Sequence, residues 1–181
     1  MATALVLLSD GFEEIEAVTI IDVLRRGGVT VTTASLGEKR VTGSHDITLE
    51  ADTLLDGVAV ERFDALVLPG GPAAKTLRED ARAQATIGRA AAAGKLLAAV
   101  CAAPTALEVA GVLAGKRATV YPGNQLPSAQ QVEERVVEDG DVITSRGPGT
   151  SMEFALKLVE RLSGAAVAKT TAERLLFSAP R

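Results

Sequence analysis

The run Leu96-Leu97-Ala98-Ala99-Val100-Cys101-Ala102-Ala103-Pro104-Thr105-Ala106-Leu107 decides the fold. Its first five residues are apolar without a break, as in a strand buried on both faces of a parallel sheet. Pro104 suits the first turn of a helix, where its missing N–H would have no partner anyway. A buried strand is therefore expected to run straight into a helix over residues 102–113, with Cys101 at the junction. Small Ala102 and Ala103 allow the sharp bend that a nucleophile elbow requires. A thiol at a helix N-terminus faces the positive end of the dipole and free backbone N–H groups, and both lower its pKa. Position alone leaves a second reading open, because a single cysteine is commonly a small core residue.

Working outward, short β-branched runs alternate with helical segments, the pattern of a parallel sheet covered by helices. Residues 4–8 read as a strand. Asp10 and Glu13 give a capping-box start to a helix with apolar positions Ile15, Val18, Ile21 and Leu24, ended by Gly27-Gly28. Residues 29–36 are a second strand, and 37–50 a turn and hairpin around Gly43, Ser44 and His45; 51–62 carry no clear period. Residues 65–69 form a third strand leading into Gly70-Gly71, and an Ala-rich helix over 73–93 stops at Gly94. Beyond the elbow come a short strand over 118–121 and a polar loop over 122–128. Asp139-Gly140-Asp141 joins strands 135–138 and 142–145 as an antiparallel hairpin. Thr150 and Glu153 make a second capping box ahead of Ala155, Leu158, Val159 and Leu162, and a last helix covers 165–177. With no repeat, low-complexity stretch or linker, the chain is expected as one α/β domain, 1–181.

Composition removes several function classes. Hydrophobic residues make up 47% of the chain, enough for a core and too many for a disordered segment. The net charge of −4 and only five aromatic residues supply neither the cationic surface nor the stacking platform of a nucleic-acid binder. One cysteine cannot close an intramolecular disulfide, which suits a reducing cytoplasm; one Cys and one His cannot build a zinc finger or ribbon. The run 4–8 is too short for a signal peptide and lacks its basic flank. Between Lys95 and Lys116 lie 20 residues whose one charge is Glu108, long enough for a membrane span. The stretch divides at Pro104 into strand-like and helix-like halves, so it reads as buried core, and no membrane partner is expected.

Two further motifs carry chemistry. Pro69-Gly70-Gly71 follows a strand, at the end of a parallel sheet where ligand groups gather. Two glycines there let a backbone N–H approach an oxyanion closely, or they make a plain strand-to-helix turn. Glu13, Glu14 and Glu16 open the first helix; such carboxylates commonly serve the helix dipole in solvent. One of them turned into the Cys101 pocket would have a raised pKa and would exchange protons with a thiolate. No nucleotide fingerprint is present, and Pro148 removes an N–H from the Gly147-Pro148-Gly149 loop, which reads as a helix entry.

Taken together, Gly11-Phe12-Glu13-Glu14-Ile15-Glu16, Val67-Leu68-Pro69-Gly70-Gly71, the run 98–107 and Thr144-Ser145-Arg146-Gly147-Pro148-Gly149-Thr150 resemble the DJ-1/PfpI family, in order and over nearly the whole chain. The resemblance is to the branch holding the parkinsonism-associated protein deglycase and its bacterial relatives. It implies a flavodoxin-like sandwich of the class I glutamine-amidotransferase kind, with a mostly parallel central sheet, helices on both faces, and assembly as a homodimer. It implies Cys101 as nucleophile, Glu16 as a protonated carboxyl bonded to its sulfur, and Gly71 and Ala102 N–H groups as an oxyanion site beside Gly70 and Glu13. The activities implied are glutathione-independent glyoxalase, converting methylglyoxal to lactate, and repair of early glycation adducts, with no metal or organic cofactor. A small α-oxoaldehyde or a glycated side chain would then be the substrate. The other expectation is a non-catalytic redox sensor or chaperone that uses an oxidisable Cys101.

The chain departs from the family pattern at one point. Many members place a His where this chain has Tyr121, which argues against a Cys–His dyad within one subunit. Tyr121 is expected to hydrogen-bond a substrate oxygen; as a base it is poor, its pKa lying near ~10. His45 stands where relatives often carry Arg. In the resembling dimers this hairpin and the Arg26 position approach the partner's pocket. His45 and Arg26 are accordingly expected to reach the neighbouring site and bind an anionic or carbonyl group, unless His45 is simply a solvated turn residue.

Overall fold

The chain is described by a computed structural model over residues 1–178; residues 179–181 of the expected domain lie outside the described residues. In chain order its first half runs β1 (Thr3–Leu8), α1 (Glu14–Arg26), β2 (Thr30–Ser35), β3 (Arg40–Thr42), β4 (Thr48–Glu50), β5 (Thr53–Leu54), β6 (Ala65–Leu68), α2 (Ala73–Glu79) and α3 (Ala81–Ala92). The second half runs β7 (Leu96–Val100), α4 (Pro104–Val109), β8 (Arg117–Ala118), β9 (Gln130–Gln131), β10 (Val136–Asp139), β11 (Val142–Ser145), α5 (Ser151–Ser163) and α6 (Ala165–Arg174). Seven strands form one sheet in the order β10-β11-β7-β6-β1-β2-β5. Every pairing in it is parallel except β10 with β11. The fold is α/β and flavodoxin-like.

Period-two alternation splits the core into two layers. Ala4, Val6 and Leu8 of β1 face one layer with Ile20, Val23 and Leu24 of α1 and Phe154, Leu158 and Val159 of α5. Leu5 and Leu7 face the other, with Leu77 of α2, Ile87 of α3 and Leu107 of α4. The central strands are covered on both faces, which is why β7 and β6 read as unbroken apolar runs. Strand order reverses at β1, which pairs with β2 on one side and β6 on the other. The carboxyl ends of β1, β6 and β7 therefore meet at a crevice of the kind where parallel sheets hold ligands.

Several expected elements are corrected. The helix expected from Asp10 begins at Glu14 instead, because Asp10 accepts the N–H of Thr42 and Glu13 takes the capping position. Its buried face also differs: Glu14, Glu16, Ala17, Ile20, Val23 and Leu24 point inward, while Ile15 and Val18 are exposed. The helix over 73–93 is two, broken at Asp80, whose extended backbone and side-chain bonds to Arg82 and Ala83 N–H start a new helix. The helix after Cys101 stops at Val109, and left-handed Gly111 turns the chain. The strand over 118–121 shrinks to Arg117–Ala118, and the unpatterned 51–62 contributes the edge strand β5. At the second capping box, Thr150 bonds within the 145–150 turn and Glu153 pairs with Arg135, so the helix starts where expected without those bonds.

Candidate functional site

Cys101 follows the last residue of β7 with φ of +62°, in the left-handed region that side chains rarely adopt. Two neighbours hold it there. Its N–H donates to Ser145 O at 2.9 Å, and its carbonyl accepts the N–H of Tyr121 at 2.8 Å. The Ala103 N–H closes the turn on Val100 O. A nucleophile elbow results, with the strain fixed by β11 on one side and residue 121 on the other. Cys101 as a residue is only 7% exposed, so its surroundings are largely dry.

Glu16 comes to the same point from α1. Glu13 caps that helix by accepting the Glu16 N–H at 2.8 Å, and the third helical residue then aims its side chain inward. Glu16 has no exposed surface; its Oε2 accepts the Gly70 N–H at 2.7 Å, while Oε1 has no hydrogen-bond partner among the described residues. Burial pushes its pKa up to about 7, against the Gly70 bond and the neighbouring thiol that favour charge, with Glu13 adding repulsion. Oε1 is thus the atom placed to carry a proton at neutral pH.

The thiol does not show the expected depression. Burial first, then the charge of Glu16, push Cys101 up to about 12, although the Gly71 and Ala102 N–H groups point at the sulfur and pull the other way. Thiol and carboxyl compete for one negative charge, so the sulfur ionises readily only when Glu16 holds a proton. Gly70 is what allows the approach: a Cβ there would stand 2.6 Å from Cys101 Cβ and 2.8 Å from Glu16 Oε2. Gly71 has φ of +83°, and a Cβ on it would meet Glu13 N and Gly11 O at 2.6 Å.

The other expected site residues lie at varying removes. Ala102 sits beside the sulfur, and Glu13 acts as the cap beneath Glu16. Tyr121 holds Cys101 through its backbone, while its half-exposed ring lies against Gly147 at the edge of a shallow cavity of about 250 Å³ shared with Arg146 and Pro148. Arg26 ends α1, ten residues beyond Glu16 or roughly 15 Å along the axis, and pairs with Asp22 at 2.8 Å. His45 binds its own chain's Glu14. Glu13, Glu14 and His45 have potential ligand atoms within 4.8 Å of one another, but those carboxylates already hold protein donors. A larger cavity, about 560 Å³, lies away from Cys101 between residues 55–61 and α3, and its Arg82 and Arg89 are paired with acidic residues. Gly11 and Ser145, which stand in the family motifs but had no role assigned from sequence, frame the site with their backbone carbonyls, as the spatial neighbours of Gly71 and Cys101 disclose.

Residues 2–161 match the model of the DJ-1/PfpI family. The protein dj-1beta of Drosophila melanogaster is 42% identical over 97% of this chain and 97% of its own, and its crystal structure superposes with a TM-score of 0.94. The structure of Toxoplasma gondii DJ-1, described as oxidized, also reaches 0.94, at 38% identity over 99% of this chain and all of that one. A Thermococcus kodakarensis protein named a deglycase is 33% identical over 87% of this chain and 98% of its own. The chain belongs to the DJ-1/PfpI family.

Proposed function

We propose that the protein is a cysteine-dependent, glutathione-independent glyoxalase and deglycase that acts through Cys101 and Glu16. The observation that carries this reading is the fully buried Glu16 carboxyl, pushed up to about 7, beside an elbow thiol whose ionisation the Gly71 and Ala102 N–H groups favour. The deglycase name of the Thermococcus relative supports it. In the proposed reaction Glu16 takes the thiol proton as sulfur attacks the aldehyde carbon of methylglyoxal; the new oxyanion rests on the Gly71 and Ala102 N–H groups and is then protonated. Glu16, returned to carboxylate by giving the thiol proton to that oxyanion, removes the C1 proton of the hemithioacetal; the O1 proton passes to the enediolate oxygen on C2, and Glu16 returns its proton to C2 as the C1 carbonyl forms. The product is a lactate thioester of Cys101, which water cleaves to lactate and thiol. Adducts of the same aldehyde on Cys, Lys or Arg side chains expose the same carbons. The reading includes a homodimer, in which Ile15, Val18 and Ile47, exposed in the single chain, would be covered by the partner and Arg26 and His45 would approach the partner's pocket.

A second reading has its own support. The Gly71 and Ala102 donors already face the sulfur itself, where the oxygens of an oxidised cysteine would lie, as a redox sensor needs. Turnover separates the two. Wild type is expected to convert methylglyoxal to lactate without glutathione over many cycles, and Cys101→Ser to make none. One equivalent lost without lactate would reduce Cys101 to an aldehyde trap and leave the sensor standing.

A further inference from the structure

Glu14 is held more tightly than any other carboxylate near the site. Its Oε1 accepts the N–H of His45 at 2.6 Å and of Ile47 at 3.4 Å; its Oε2 accepts the Ser44 hydroxyl at 3.2 Å and meets His45 Nδ1 at 3.0 Å. All these donors belong to the turn between β3 and β4. Burial opposes the charge, but the His45 ring and the turn's N–H groups outweigh it and hold Glu14 down to about 2. Gly43 lets the turn close, since a Cβ there would collide with the Glu14 carboxyl. Backbone bonds extend the clasp: Gly11 N–H to Thr42 O at 2.8 Å, and Ser44 N–H to Phe12 O at 2.9 Å.

The same short loop carries the reactive turn. Glu13 N–H donates to Gly70 O and Ala73 N–H to Gly11 O, both at 3.1 Å, and Gly71 packs directly on the backbone of residues 11–13. Residues 10–14 therefore lie bonded to the turn 42–47 and to the turn 70–73 at once, with Glu16 two residues further on in the first turn of α1. The charged or titrating groups acting on Glu16 are Cys101 and Glu13; Glu14 acts on the turn, whose His45 also feels Glu13 and Asp46.

We infer that Glu14 is a positioning residue: by clasping the β3–β4 turn it fixes loop 10–14, and through that loop keeps Glu16 and the Gly70-Gly71 turn in place around Cys101. The inference rests on the Cys101–Glu16 pairing of the proposed function and not on the reaction catalysed. Glu14→Gln preserves shape and can keep an oxygen for the His45 and Ile47 N–H groups, but it removes the negative charge and puts an NH₂ where Oε2 accepted from the Ser44 hydroxyl and the His45 ring.

Two readouts test it. Hydrogen exchange of residues 43–47 is expected to quicken by about tenfold or more in the variant. The pH dependence of Cys101 alkylation by iodoacetamide is expected to show an inflection near 7 in wild type, where Glu16 titrates. In Glu14→Gln that inflection moves down by about one pH unit, as water reaches a loosened Glu16. Gly43→Ala, which breaks the same contact from the other side with the carboxylate intact, is expected to give both changes and carries the test if Glu14→Gln does not fold. A quickened turn with an unmoved inflection would overturn the inference, leaving Glu14 a structural clasp. An unchanged turn would overturn it as well. Alkylation needs no turnover, so absence of lactate would remove the glyoxalase reading without touching this one.

Discussion

A carboxyl without exposed surface that titrates near 7 makes the fold's stability depend on pH in a definite direction. Unfolded, Glu16 would titrate near 4.5. Between those values the native state binds more protons, so stability is full below the unfolded pKa and falls as pH rises through about 7. Glu16→Gln removes that dependence while its amide oxygen still accepts the Gly70 N–H. We expect the variant to be more stable than wild type by about 1–3 kcal/mol at alkaline pH, an advantage shrinking toward pH ~5, in urea unfolding curves. Gly70→Ala is expected to act oppositely. Its Cβ would crowd Cys101, Glu16 and Val100 O, lowering stability by about 1–3 kcal/mol and suppressing thiol reactivity, read by unfolding and alkylation rate together. At this scale the sequence was legible where chain geometry dictates position, as at Cys101 between a buried strand and Pro104. The direction of the thiol's titration was not, because the dipole argument counts one helix end and omits first the burial of the sulfur and then the carboxyl that α1 brings alongside.

Element by element, the central strands β1, β6 and β7 could be read from their unbroken apolar runs, since strands covered on both faces admit little else. Helix limits were harder. Asp80 looks like one polar residue in an Ala-rich helix, yet its carboxylate binds two N–H groups and ends one helix to start another. Asp80→Ala is expected to cost about 1 kcal/mol and lower the melting temperature by about 2–4 °C, measured by calorimetry. On α1 the apolar spacing of Ile15, Val18, Ile21 and Leu24 placed Leu24 and part of Ile21 correctly but turned Ile15 and Val18 inward, where the structure exposes them. Glu14 and Glu16 turn inward because their partners, the β3–β4 turn and Gly70 N–H, arrive from distant parts of the chain. Periodicity counts apolar residues and cannot see a carboxyl that is buried for its bonds.

For the whole molecule, that rotation of α1 leaves Ile15 and Val18 outward, near-neighbours in a chain whose other large apolar side chains are mostly buried. We expect a dimer by sedimentation equilibrium and a monomer for Val18→Glu; a monomeric wild type would remove Arg26 and His45 from any partner's site. The central claim is that Cys101 and Glu16 act as one unit sharing a proton. The most direct measurement is the pH dependence of kcat/KM for lactate formation from methylglyoxal, in wild type and in Glu16→Gln. The account predicts a wild-type limb near 7 and, in the variant, loss of that limb with activity reduced by about 100-fold or more. A Glu16→Gln enzyme that keeps both the rate and the limb would contradict it.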